Sequence, residues 1–180
     1  MKDGKNIKKS KSILYKRVIK LFINLSAVLF TGILVFSYLK KNFVINLTPS
    51  IQTGIYKVEI VDEIKKGDVV TFTVNEDLYK FMLERGYIND KIKGFIKKVG
   101  GIEGDEIEVG EYLSINRVRK KKLPRKDTLG RILPLKEGKY TLKENEYFML
   151  GDNPKSFDSV YMGIIRKDQI KNKAKLIVEF

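Results

Sequence analysis

From Leu21 to Leu39 the chain runs 19 residues without a charge, and only Asn24, Ser26, Thr31, Gly32 and Ser37 interrupt its apolar character. At 1.5 Å per residue a helix of that length spans roughly 28 Å, close to the thickness of a bilayer's hydrocarbon core. The run predicts a transmembrane anchor over 21–39. A cleaved signal peptide would need small residues ahead of a cleavage site, and the whole chain has only Ala27 and Ala174 as alanines. Beyond Lys41 the periodicity changes to that of strands. Ile55 to Ile60 alternates, Lys65-Lys66-Gly67-Asp68 reads as a turn, and Val69 to Val74 follows as a second strand. Asn75 is placed to cap a short helix carrying Leu78, Phe81 and Met82, closed by Gly86. Further strands are expected at 92–99, 106–109, 112–116, 147–150 and 173–179. Arg117–Lys126 holds seven basic residues in ten and reads as an exposed hairpin arm or loop. The pattern predicts a mainly β domain over 42–180 behind one membrane helix, with residues 1–20 as a basic tail.

Charge gives this arrangement a direction. The net charge is +14, and residues 1–20 carry eight Lys/Arg against Asp3. Only Lys40 and Lys41 follow the apolar run directly, so the positive-inside rule places the tail in the cytoplasm and the β domain outside. Such a basic chain could also hold nucleic acid. No aromatic interleaving or recognised binding motif accompanies the basic arm, so no nucleic-acid partner is expected, and anionic lipid headgroups are the better match for the arm.

Composition then restricts the chemistry. The chain has no histidine and no cysteine. A Ser-His-Asp triad, a thiolate nucleophile and the usual nitrogen and sulfur ligands of zinc are therefore all missing. For bond hydrolysis the remaining option is a Ser or Thr hydroxyl activated by a lysine amine. Lys97, in Lys97-Lys98-Val99-Gly100-Gly101-Ile102-Glu103-Gly104-Asp105, and Ser50, in Asn46-Leu47-Thr48-Pro49-Ser50, are the candidates. On a strand Lys97 shares its face with Phe95 and Val99, while Lys98 shares the other face with Ile96 and glycine. An amine is a base only when neutral, and its reference pKa is about 10.4. Bringing that value near 7 takes about 4 kcal/mol of differential desolvation, which an apolar site can supply.

The words around these residues resemble those of the signal peptidase I family, the membrane-anchored Ser/Lys endopeptidases. Lys66 to Phe72 is similar to the family's glycine-aspartate strand motif, and Lys97 to Asp105 to its base-bearing motif. Gly151-Asp152-Asn153, with Ser156-Phe157-Asp158-Ser159 and Gly163, is similar to its last motif. The nucleophile region departs from the common form, which has Met and then Pro after the serine. Ser50-Ile51-Gln52-Thr53-Gly54-Ile55-Tyr56 is closer to the conjugative-transfer (TraF-type) branch.

The resemblance implies a signal-peptidase-like β-sheet domain and a role for each residue. Ser50 would be the nucleophile and Lys97 its general base. Thr48, with the Ser50 backbone N–H, would form the oxyanion hole. Ser156 would aim the lysine amine, and Asp158 would support the Ser156 loop. Val160 stands where an arginine commonly pairs with that aspartate, and Lys98 is expected to serve as the replacement partner. Substrates would be pre-proteins with signal or leader peptides, or one dedicated conjugation or pilus substrate, with small residues at the first and third positions before the cut. No metal or organic cofactor is implied. The alternatives from other classes are an inactive membrane-anchored scaffold and a tethered nucleic-acid-binding module.

Overall fold

The hydrophobic run forms part of one long helix, α1, Asp3–Asn42. The computed structural model describes Asp3–Phe180, with the side chains of residues up to Leu14 outside the description. The basic tail assigned to residues 1–20 is helical from Asp3 onward as the first part of α1, with its side chains described only from Tyr15. Tyr15–Asn42 has a mean hydropathy of 2.2 across its most apolar window and buries none of that surface within the protein. The helix is long and apolar enough to cross a membrane.

The second unit, Phe43–Phe180, is built of eleven strands: β1 (Phe43–Asn46), β2 (Gly54–Glu59), β3 (Val69–Phe72), β4 (Phe95–Gly101), β5 (Glu106–Val109), β6 (Tyr112–Ile115), β7 (Val118–Lys122), β8 (Gly138–Thr141), β9 (Glu146–Leu150), β10 (Ile165–Arg166) and β11 (Ile170–Glu179). Two short helices, α2 (Glu76–Glu84) and α3 (Ser159–Met162), complete it. A seven-stranded sheet has the order β1-β2-β11-β3-β4-β9-β10, and a four-stranded sheet the order β7-β6-β5-β8. All pairings are antiparallel. The mainly β class expected from the alternation is the one observed.

Alternation along each strand sends apolar side chains to two sides of the larger sheet. Val70, Phe72, Val99 and Met149 pack with Met82 of α2 on one side, and Ile51, Tyr56, Ile96 and Ala174 cluster separately. A third cluster, with Leu113, Ile115, Phe148 and Tyr161, involves residues of both sheets. Phe72 and Phe148 are fully buried, each contributing about 1.5–3 kcal/mol by removal from water.

Helix α2 starts as its sequence dictates. Asn75 Oδ1 accepts from the Leu78 N–H at 2.9 Å, satisfying a donor that the first helical turn cannot. The strand expected over 92–99 is instead β4, starting at Phe95 and running through both glycines of the Lys97–Asp105 motif. Gly100 accounts for the longer strand: a Cβ there would overlap the Leu150 side chain of the neighbouring β9. Absence of a side chain permits close pairing beyond Val99, where the expected strand ends. The short strands β1, β8 and β10 carry too few residues for a period to stand out. The basic arm is the hairpin partner β7 of β6 plus the loop after it.

Candidate active site

Two loops and one strand converge on a cleft of about 880 Å³. Thr48 and Ser50 come from the β1–β2 connection, Lys97 from the middle of β4, and Ser156 with Phe157 from the loop before α3. Its walls are largely apolar, including Val44, Ile45, Met82, Ile92 and Phe95. Three sequence segments that lie about 50 residues apart thus supply hydroxyls and an amine to one space.

Ser50 is anchored through its backbone. Its carbonyl accepts from the Asp152 N–H at 2.6 Å and from the Asn153 N–H at 3.5 Å, tying the β1–β2 connection to the Gly151-Asp152-Asn153 segment. Gly151 is needed for that approach, since a Cβ there would overlap both the Ser156 side chain and the Ser50 carbonyl. The Ser50 hydroxyl lies 3.2 Å from Thr48 Oγ1 and makes no hydrogen bond to Lys97.

Lys97 sits opposite Val70 in the β3–β4 ladder and is only 6% exposed. Burial lowers its pKa from 10.5 to about 8; the charge of Asp158 opposes the change and that of Lys121 reinforces it. About a tenth of the molecules then hold the neutral amine at pH 7, against fewer than about one in a thousand for a solvated lysine. Ser156 Oγ lines the same cleft, buried and without a hydrogen-bond partner. Such a group costs free energy unless another state of the site uses it.

Asp158 lies behind the cleft and is fully buried. Its Oδ1 accepts from the Val160 N–H at 3.2 Å, capping α3, and its Oδ2 accepts from the Gly151 N–H at 3.1 Å. The partner expected for it, Lys98, is elsewhere. Period-two alternation turns Lys98 to the opposite face from Lys97, where its amine meets Asp152 at 2.8 Å in a half-exposed pair. Asp158 is paired instead with Lys121 of β7, at 2.7 Å, with the lysine side chain 15% exposed. A cation from the basic arm occupies the role that a local arginine was expected to leave to Lys98. Nothing in the sequence singles Lys121 out among the seven basic residues of Arg117–Lys126, because the choice depends on which strand position faces α3.

A family model described as "Signal peptidase, peptidase S26" matches residues 15–179. The chain belongs to the signal peptidase family. The match takes in the apolar helix as well as the β domain of this peptidase. Among solved structures, the chain is similar to a crystal structure of a signal peptidase I from Enterococcus faecalis, with 20% identity over 64% of this chain and 98% of that one and a TM-score of 0.37. No curated protein matches.

Proposed function

We propose that this signal peptidase family member is a membrane-bound endopeptidase that uses Ser50 and Lys97 as a catalytic dyad. The observation that carries this reading is a buried lysine of lowered pKa opening into the same cleft as a loop-held serine, in a chain without histidine or cysteine. Neutral Lys97 takes the Ser50 proton as the hydroxyl attacks the scissile carbonyl, then returns it to the leaving amine. The oxyanion is met by the Ser50 N–H and the Thr48 hydroxyl, each contributing about 3 kcal/mol. The Ser156 hydroxyl bonds the Lys97 amine during turnover and fixes its direction. Lys97 then activates the water that hydrolyses the acyl-enzyme.

The substrate is a signal or leader peptide on an exported pre-protein, and the resemblance around Ser50–Tyr56 allows a dedicated conjugation or pilus substrate. By the positive-inside rule, the basic residues before the apolar run support an N-terminus in the cytoplasm and a cleft on the outer side of the membrane. In detergent, full-length Ser50→Ala and Lys97→Met should each abolish cleavage of a pre-protein while retaining the fold. Lys98→Met should keep measurable activity, because its amine is spent on a half-exposed pair with Asp152. Cleavage by folded Lys97→Met would remove the lysine from the chemistry.

A further inference from the structure

The nucleophile loop is organised around Asn46, the last residue of β1, whose side chain is buried to 3% exposure. Its Nδ2 faces three backbone carbonyls: Thr48 at 3.0 Å, Ile51 at 3.3 Å and Gln52 at 3.0 Å. Its Oδ1 accepts from the Thr48 N–H at 3.1 Å and lies 2.8 Å from Thr48 Oγ1. This surrounding leaves one orientation for the amide, since a flip would set the oxygen against three carbonyls and the NH₂ against an N–H. One amide group thereby ties together a loop that runs on both sides of Ser50.

The same geometry assigns the hydroxyl protons. Asn46 Oδ1 has no hydrogen to give, so the Thr48 hydroxyl donates to it. Thr48 has only one proton, so in the 3.2 Å contact between Thr48 Oγ1 and Ser50 Oγ it is Ser50 that donates. In this state Ser50 is aligned by Thr48, and Thr48 by Asn46. With its proton on Asn46 Oδ1, the Thr48 hydroxyl can donate to an oxyanion only after rotating away from Asn46.

We propose that Asn46 is a positioning residue for the peptidase reaction, holding the Thr48–Ser50 loop rigid and parking the Thr48 proton until the oxyanion forms. This rests on the reading of Ser50 and Thr48 given above. The Asn46 side chain bonds Thr48 and the loop carbonyls of Thr48, Ile51 and Gln52, and it acts through them.

The test uses full-length protein in detergent and a peptide substrate with alanine at the first and third positions before the cut. Asn46→Leu removes every bond. Asn46→Asp keeps the shape and the oxygen that faces Thr48 but loses the donors to the three carbonyls. Each should lower kcat by about 10- to 100-fold, as expected when reacting groups are displaced by a fraction of an ångström to an ångström, with KM within about twofold of wild type. In a Thr48→Val background Asn46→Leu should cost less than it does alone, because the parked proton is already gone.

Wild-type kcat in either folded variant overturns the proposal, as does a loss confined to KM or to the melting temperature. Failure of both variants to fold assigns Asn46 to folding and likewise overturns a separate positioning role. If Ser50→Ala and Lys97→Met are inactive while the Asn46 variants turn over normally, the dyad stands and only this inference falls. If the Ser50→Ala protein still cleaves, the dyad reading itself has failed.

Discussion

Removing the Lys121 amine is the sharpest probe of how the base is tuned. Lys121→Met breaks a 2.7 Å pair whose carboxylate is fully buried and leaves Asp158 with only the Gly151 and Val160 N–H groups. An uncompensated buried charge of this kind costs about 3 kcal/mol of stability. The catalytic consequence is separable. Lys121 holds the Lys97 pKa down and Asp158 pushes it up, so losing Lys121 leaves the opposing charge unbalanced and the pKa must rise. Loss of the like charge therefore moves the Lys97 pKa upward from about 8. Each pH unit of that rise lowers the neutral fraction at pH 7 about tenfold, and kcat/KM at pH 7 with it. The assay is kcat/KM against pH for a peptide substrate, below the melting temperature of the variant. The acid limb should move to higher pH while the alkaline plateau stays near its wild-type height. Lys121→Met combined with Asp158→Asn removes both charges and should bring the limb back toward wild type. An acid limb that does not move, or moves to lower pH, would refute the electrostatic reasoning; a uniformly depressed profile would show damage to the loop instead.

Three further outcomes follow from the same geometry. Unfolded, Lys97 keeps its proton up to about pH 10.5, whereas folded it releases it near 8, so unfolding takes up a proton between those values and stability rises with pH across that window. Lys97→Met should therefore flatten this rise in thermal melts and gain up to about 3 kcal/mol at pH 7; an unchanged pH slope would contradict a buried, destabilised amine. Ser156→Ala removes a buried hydroxyl that has no partner, so it should leave the melting temperature unchanged or raised while lowering kcat with little change in KM; full turnover would remove Ser156 from the aiming of Lys97. Protease added outside intact cells or protoplasts should digest the domain after Lys41 and spare the basic tail, and protection of the domain would reverse the proposed topology.

Several features were legible in the chain because they rest on local physics. An uncharged apolar run of bilayer length, alternation over Ile55–Ile60, a strand expected over Val69–Val74 and observed as far as Phe72, and an Asn75 cap are each set by local sequence. The chemistry was narrowed the same way, by what the composition lacks. The burial of Lys97 was half legible: alternation named its apolar strand-mates, but the depth of burial depends on α2 and on the loop before α3 covering β4.

Other features depend on distance in space. The pairing of Asp158 with Lys121 joins residues 37 positions apart, and it is decided by which basic side chain of β7 faces the α3 loop. Lys98, the nearer choice in sequence to Lys97, was excluded by strand alternation and found Asp152 instead. The role of Asn46 was invisible for a related reason. An asparagine ahead of Thr-Pro-Ser reads as an ordinary turn former, and only the folded loop brings three carbonyls and one hydroxyl around its amide. The sequence by itself determined a β domain behind one apolar run of bilayer length and removed histidine and cysteine chemistry, since composition and short-range periodicity suffice for that. Which cation offsets Asp158, how far Lys97 is desolvated and where the Thr48 proton rests were decided by tertiary packing, because each depends on distances between segments that no local pattern encodes.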